Sequence, residues 1–187
     1  MGYSNAVDPV HANAGGLLAA IFCARPDVRW HSAMHTLLNE RHQVTAARLP
    51  FKYRGRLLRA GLYGRFLPFV QQESTFWRRE LLAGVDYGRL AGLRLAGDHY
   101  LWSRFARDSE PFIIATILGC FTIHEGQLSQ NRAAYYAEMR SVSDTPTPWD
   151  LALAALDLPL WRMPDKIKKL LNHKHLLRYH HGRHQWS

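Results

Sequence analysis

The sequence predicts an α/β domain, with a mixed sheet flanked by helices and a helical C-terminal tail. Extended apolar runs alternate along the chain with amphipathic helical stretches. The 187 residues are 47% hydrophobic, which is enough for one domain with its own core. The longest apolar run, PFIIATILGCFTI at residues 111–123, is too short to span a bilayer as a helix. We therefore interpret it as a buried strand.

The predicted elements follow one another without internal repeats. The first half has a strand at residues 1–4, a helix from His11 to Cys23, extended segments at 28–34, 43–48 and 69–77, and helices at 55–63 and 78–83. Gly97 and Asp98 then open an amphipathic helix, and a further helix covers residues 129–140. Because Thr145-Pro-Thr-Pro148 breaks the chain, we divide it into a domain at residues 1–144 and a basic helical tail at residues 145–187.

The net charge of +9 is concentrated in two stretches. Residues 45–80 hold eight Lys or Arg against Glu73 and Glu80, and residues 161–187 hold seven against Asp165. Two basic surfaces are therefore expected. Such surfaces suit the phosphates of a nucleotide, a nucleic acid or a lipid headgroup, although a merely solvated basic face is the plainer alternative.

The cysteines and the first residues bear on cellular location. Cys23 and Cys120 are far apart and form no CxxC motif, so neither a disulfide framework nor a zinc site is indicated. No Lys or Arg precedes Arg25, so the charged start of a signal peptide is missing. These observations favour a reducing, cytoplasmic location.

Residues 71–79, QQESTFWRR, combine five consecutive polar side chains with an aromatic pair. A buried strand rarely carries such a polar run, because each side chain needs a partner once water is removed. Four side chains that could carry chemistry lie at the ends of predicted elements, where α/β sheets bind ligands. They are Asp8, Glu73, Asp98 and His124. The plainer alternatives are a helix N-cap for Asp98, a turn residue for Asp8 and an ordinary core or surface histidine for His124.

Three segments resemble the family 2 glycosyltransferases of the GT-A fold. They are QQESTFWRRELL, LAGDHYLWSRFA and LGCFTIHEGQLS, in this order. The resemblance runs from residue 1 to about residue 141, and it implies the C-terminal part of a GT-A domain. Such an enzyme transfers a sugar from a nucleotide-sugar donor, here with UDP favoured, to a hydroxyl acceptor with inversion. The acceptor would be a saccharide or a lipid-linked saccharide, as in polysaccharide biosynthesis.

The resemblance assigns a role to all four candidate residues and to Gln72. Asp98 matches the catalytic base that removes the proton of the acceptor hydroxyl. Asp8 and His124 match the residues that hold a divalent Mg or Mn ion on the donor diphosphate. In the same family pattern, Gln72 and Glu73 would orient the hydroxyl groups of donor or acceptor.

The resemblance also implies a pocket wall for the sugar. Sugars present an apolar face that packs on aromatic rings, so Trp77 and Trp102 are the expected substrate-binding aromatic residues. Residues 71–79 would then line the pocket in which donor and acceptor meet. This expectation explains why polar and aromatic side chains stand together.

The chain departs from the family pattern at three points. Val7 stands where the family usually has an Asp, and Thr122 stands where many members have an Arg. The βαβ region that grips the base and the ribose in this family would precede the metal motif and is not part of the chain. We therefore expect this chain alone to bind nucleotide sugars weakly or not at all and to show little transfer.

Two alternatives to an active transferase stay open. One is a basic module that binds protein or, with less support, nucleic acid. It would need aromatic residues interleaved with cations on one face, as FKYRGRLLRAGLYGRF at residues 51–66 partly offers. The other is a catalytically inactive remnant of a glycosyltransferase.

The tail lies outside the resemblance and has an amphipathic pattern. A helix with this pattern could lie on an anionic membrane as a peripheral membrane contact, although packing of the helix on the domain itself is favoured. The residues of the pattern are Lys166, Lys168, Lys169, Lys174 and Arg178 with Ile167, Leu170, Leu171, Leu176 and Leu177.

Overall fold

The computed structural model describes residues 14–123, 131–180, 182 and 185–186. These residues form a mixed α/β structure, as the sequence predicts. The helices are α1 (Ala14–Ala24), α2 (Gly55–Arg59), α3 (Tyr87–Ala91), α4 (Gly97–Phe105), α5 (Arg132–Val142), α6 (Pro148–Arg162) and α7 (Asp165–Leu171), with 3-10 helices at Gln72–Ser74 and Arg79–Gly84. The strands are β1 (Trp30–Ser32), β2 (His35–Leu38), β3 (Val44–Arg48), β4 (Thr75–Trp77), β5 (Phe112–Ile114), β6 (Phe121–Thr122), β7 (Leu176–Leu177), β8 (Tyr179–His180) and β9 (Gln185–Trp186).

The described strands form two larger mixed sheets and one small hairpin. The main sheet has the order β4-β1-β5-β7, in which β1 is antiparallel to β4 and parallel to β5, and β5 is parallel to β7. The second sheet has the order β3-β2-β6, with β2 antiparallel to β3 and parallel to β6. Strands β8 and β9 pair only with each other.

The two larger sheets are built from the same pair of chain segments. β1 continues into β2 after Ala33 and Met34, and β5 continues towards β6 through residues 115–120. The two segments run parallel to each other and pair twice, first as β1 with β5 and then as β2 with β6, with an interruption between the two pairings. At the interruption, Met34 N donates to Thr116 O at 3.0 Å and Ala33 N donates to Ser74 O at 2.8 Å. We call this region the sheet junction.

The junction changes two sequence-based expectations. The apolar run at residues 111–123 is not one strand, because two separate parts of it form β5 and β6. Between these strands, Thr116 O accepts from Met34 N and Gly119 O accepts from Ser74 Oγ at the junction. The segment at residues 69–77, expected to be extended, contains a 3-10 helix and only the short strand β4. Strand β2 was not predicted.

Aromatic residues form the centre of the largest core cluster. The rings of Trp30 and Trp102 stack with centroids 5.7 Å apart, and Trp77 meets Trp102 edge-on at 5.5 Å. Phe105 packs edge-on against the same Trp30 and Trp102 rings. A second cluster packs α1, through the buried Ile21, against the main sheet.

The segment after residue 145 packs into the same core. Trp161 of α6 lies edge-on to Tyr53 with ring centroids 5.2 Å apart. After α7, the Asn172 side chain accepts from Lys52 N at 3.0 Å and donates to Pro50 O at 2.9 Å. The predicted boundary at residue 145 therefore does not separate two packing units. Leu176 and Leu177, expected on a helix, instead form the buried strand β7.

None of the helices in the described ranges combines the length and the apolar composition that crossing a bilayer requires. The longest of them, α6, has 15 residues. Its N-terminus is fixed by a capping box, in which the Thr147 side chain accepts from Asp150 N and the Asp150 carboxylate accepts from Thr147 N. Pro148 follows at the first helical position, where its missing N–H is not needed. The Thr-Pro break therefore starts a helix as the sequence suggested.

The arginines of the first basic stretch do not form one open positive surface. Three of them pair with acids from the C-terminal part of the chain, which neutralise much of the expected charge. The ion pairs are Arg54–Asp157, Arg56–Asp150 and Arg59–Asp144. A fourth arginine, Arg78, donates to the carbonyl of Val28 at 2.8 Å.

Three of the four interleaved aromatics of this stretch are internal. Phe51, Tyr53 and Tyr63 are all buried in the large core cluster. A nucleic-acid module needs such rings exposed, so that bases can stack on them. Phe66 is 50% exposed and the Arg65 guanidinium lies 5.3 Å from its ring centroid, so residues 51–66 offer one exposed aromatic–cation pair rather than the row of exposed rings that the basic-module alternative requires.

Candidate functional site

Gln71 lies at the sheet junction and binds the backbone of Thr36 with both ends of its side-chain amide. Its Oε1 accepts from Thr36 N at 2.9 Å, and its Nε2 donates to Thr36 O at 2.9 Å. The buried amide therefore replaces a peptide group of a neighbouring strand. This contact satisfies backbone groups of β2 that would otherwise be buried without partners.

The hydroxyls of Ser74 and Thr75 serve the same junction. Ser74 Oγ donates to Gly119 O at 3.0 Å, and Thr75 Oγ1 donates to Gln71 O at 2.8 Å. Both residues are buried. Three of the five polar residues in QQEST are thus explained by internal bonds, without a ligand. The expectation that the whole stretch lines a pocket does not hold for these three.

Gln72 and Glu73 are the other two polar residues of the stretch. Gln72 is half-buried and Glu73 is buried in the 3-10 helix between the sheets. Gly119 lies directly against the backbone of Glu73. The junction thus fixes the position of Glu73, while its role towards donor or acceptor hydroxyls stays a prediction.

Trp77 and Trp102 are both core residues. Trp102 is 2% exposed and Trp77 is 5% exposed, and the two rings contact each other at the centre of the large cluster. A sugar can pack only on a ring face that solvent reaches. Their burial therefore gives no support to the prediction that these two side chains form the wall of a sugar pocket.

Asp98 lies in the first turn of α4 in a half-buried position. Its Oδ1 accepts from His99 N at 2.7 Å and from the Tyr135 hydroxyl at 3.3 Å. Loss of hydration raises the pKa of Asp98 to about 6, because it outweighs the lowering effect of these hydrogen bonds. At neutral pH the group is therefore mostly ionised, and it is a stronger base than an ordinary aspartate.

Asp98 is not the N-cap of its helix. Ala96 occupies that position, and no side chain makes a capping bond there. Glu138 of α5 instead binds the chain just before the helix, accepting from the N–H groups of Arg94, Leu95 and Ala96 at 3.1, 2.8 and 3.0 Å. The plainer alternative for Asp98, a capping role, is therefore wrong.

Two aromatic residues beside Asp98 were not singled out from the sequence. Tyr135 binds Asp98, and its ring lies edge-on to Phe69 with centroids 5.6 Å apart. Phe69 is 40% exposed, so this group of rings reaches the surface. The sequence signal, adjacent tyrosines on a helix, is equally typical of plain packing.

Asp8 and His124, the predicted metal ligands, lie outside the described residues. In residues 14–123 and 131–180, no group of three or more His, Cys, Asp or Glu side chains is placed to hold a metal ion. Thr122, which replaces the family's Arg, is buried in β6. The metal ion thus stays a prediction from the resemblance.

An open cleft with a volume of about 460 Å³ lies beside the 3-10 helix Arg79–Gly84. Its lining residues are Arg79, Glu80, Leu82, Ala83, Val85 and Tyr87. None of the residues predicted from the sequence to act on substrate is among them. The cleft therefore gives no support to the proposed chemistry at Asp98.

No protein-family model, no curated protein and no solved structure matches this chain. The link to family 2 glycosyltransferases therefore rests on the three sequence segments. Of the residues that the link assigns to chemistry, Asp98 is the one whose described surroundings suit its assigned role.

Gly119→Ala is expected to destabilise the sheet junction. An added Cβ would lie 1.9 Å from the Glu73 carbonyl oxygen, so one of the two backbones must move. Overpacking of this kind typically lowers the free energy of unfolding by ~1–3 kcal/mol, and backbone contact should place this variant at the upper end. Urea denaturation would measure the loss. Gly84→Ala is the control, because its Cβ would enter open space. Equal stability of the two variants would contradict a tightly packed junction.

Proposed function

We propose that this chain is an inverting glycosyltransferase in which Asp98 is the general base. The surroundings of Asp98 are the observation that supports this role. A general base works best when its pKa lies near the operating pH, and burial moves the pKa of Asp98 towards that range. Its position in the first turn of a helix also favours the ionised form.

In the proposed reaction, Asp98 takes the proton of the acceptor hydroxyl. The acceptor oxygen then bonds to the anomeric carbon of the donor sugar as the bond to the diphosphate breaks. The nucleoside diphosphate leaves from the opposite face, so the configuration inverts. Both described hydrogen bonds to the carboxylate go to Oδ1. We therefore assign the proton transfer to Oδ2.

Other residues of this chain would position the base and the substrates. The Tyr135 hydroxyl holds the carboxylate of Asp98 in one orientation. Gln72 and Glu73 would contact sugar hydroxyls, as the resemblance implies. By the same resemblance, Asp8 and His124 would hold an Mg or Mn ion, which when bound neutralises charge on the departing diphosphate.

The test is donor-dependent release of nucleoside diphosphate. The purified chain would be incubated at high concentration with a panel of UDP-sugars and other nucleotide sugars, with Mn²⁺ and with saccharide acceptors. We expect slow release that requires both donor and acceptor. The rate should rise with pH through about 6, because only ionised Asp98 accepts the proton. A complete lack of transfer, together with no binding of UDP and Mn²⁺ by calorimetry, would contradict the proposal.

A further inference from the structure

On helix α6, the distribution of polar and apolar side chains is the reverse of that on an ordinary surface helix. A surface helix buries an apolar stripe and exposes its polar side. On α6 the inward stripe contains both of the helix's acids. The buried residues are Asp150, Ala154, Asp157 and Trp161. The carboxylate of Asp157 accepts from Arg54 at 2.6 and 2.9 Å, and that of Asp150 accepts from Arg56.

The side of α6 that faces solvent is apolar. Leu156 is 64% exposed, Trp149 is 60% exposed and Leu151 is 44% exposed. Three smaller residues of the same helix, Ala152, Ala155 and Pro159, are exposed as well. Arg162 is the one exposed charged residue of this helix. Exposed apolar side chains in such a continuous arrangement indicate a binding surface.

Helix α7 repeats the arrangement at shorter length. Lys168 is buried and donates to Leu49 O, while the Asp165 carboxylate accepts from Leu49 N at 3.3 Å. The side chains turned to solvent include Leu170, which is 72% exposed, and Ile167, which is 43% exposed. The charged groups of Lys168 and Asp165 thus hold α7 on the domain through the backbone of Leu49.

The charge that accompanies these apolar side chains is positive. Of the three acids between residues 148 and 174, Asp150 and Asp157 are buried, and Asp165, whose side chain is 39% exposed, pairs with Lys168 at 3.1 Å. The exposed cations of the same segment are Arg162, Lys166, Lys169 and Lys174. We call the exposed apolar residues of α6 and α7, together with these cations, the outer face.

We propose that the outer face binds an anionic membrane surface. Apolar side chains of an amphipathic helix enter the boundary between headgroups and acyl chains, and Lys and Arg contact the lipid phosphates. The outer face offers both contacts, and the acid that is partly exposed beside it, Asp165, is paired with Lys168. A second copy of this chain would bring two sets of cations together, so like charges would repel across that interface.

The test is sedimentation with vesicles of phosphatidylcholine alone or mixed with phosphatidylglycerol. The chain should bind only the mixed vesicles, and added salt should weaken binding. Trp149→Ser with Leu156→Ser removes apolar contacts, and Lys166→Gln with Lys169→Gln removes cations. Each double variant should lose roughly tenfold or more in vesicle affinity. Melting curves should stay unchanged, because all four side chains are exposed.

The matched control removes two cations elsewhere. Arg41→Gln with Arg48→Gln changes the net charge by the same amount on the β2–β3 hairpin, where both side chains are exposed. This variant should keep at least most of the affinity. Three results would overturn the proposal: no binding to the mixed vesicles, an equal loss in the control, or a dimer in solution that Trp149→Ser with Leu156→Ser dissociates.

Discussion

Asp98→Asn is expected to lower sugar transfer by roughly 10² to 10⁴-fold, the usual contribution of a positioned general base. An amide has nearly the same shape as the carboxylate but cannot take the proton. Burial raises the pKa of Asp98 from its ordinary 3.8 to about 6, so ionisation of the carboxylate lowers stability progressively as the pH rises from the first value to the second. The amide removes this penalty. Folding at pH 7 should therefore be unchanged or slightly improved.

Two controls separate a base from a structural aspartate. Asp108→Asn changes an exposed acid just after the same helix and should leave transfer intact. Tyr135→Phe removes a hydrogen bond that lowers the pKa of Asp98, so the rising limb of the pH–rate profile should move to higher pH. A lower melting temperature for Asp98→Asn that matches its loss of activity would instead indicate a purely structural role.

Asp157→Ala is expected to lower the free energy of unfolding by about 3–5 kcal/mol, because it leaves the paired arginine without its counter-charge. The Asp157 side chain is fully buried, and it binds Arg54 through two hydrogen bonds. Arg54 keeps 32% of its side-chain surface exposed, so water can hydrate part of the freed charge. We therefore expect a loss near the lower end of this range, measured by urea denaturation.

The chain contains a matched surface pair for comparison. Arg25 and Asp27 also form two hydrogen bonds, at 2.9 and 2.7 Å, but the Asp27 side chain is 56% exposed. Asp27→Ala should lower stability by no more than ~1 kcal/mol. Replacing the buried pair together, with Arg54→Met and Asp157→Leu, should recover much of the loss. Equal, small losses at Asp157 and Asp27 would show that α6 is only weakly attached.

Elements with a strong local pattern could be predicted from the sequence. α1, α4 and α5 lie where the helical periodicity and the breaks between segments place them. β2 was missed because its four residues become a strand only by pairing with β3 on one side and β6 on the other. The division of residues 111–123 into two strands has the same cause. It depends on bonds to Met34 and Ser74, far away in the chain.

The candidate site shows the same limit. The sequence places Asp98 at the start of a helix, but Tyr135, its partner, is 37 residues away. The polar run at residues 71–75 suggests a ligand when only the sequence is considered. The same polar residue types can bind either a sugar or a distant backbone group, so the sequence does not distinguish these two roles. Gln71 binds Thr36, and nothing in the sequence near either residue indicates this contact.

The long-range contacts of the last part of the chain bear on how it folds during synthesis. Lys52 N and the Asn172 side chain are bonded across 120 residues, and β7 completes the main sheet beside β5. Until Asp157 leaves the ribosome, Arg54 lacks its acid, and until β7 follows, the nascent chain carries β5 as an open edge. Such high contact order slows folding and prolongs exposure to aggregation. Chaperone contact during translation would therefore be most valuable before the final strands emerge.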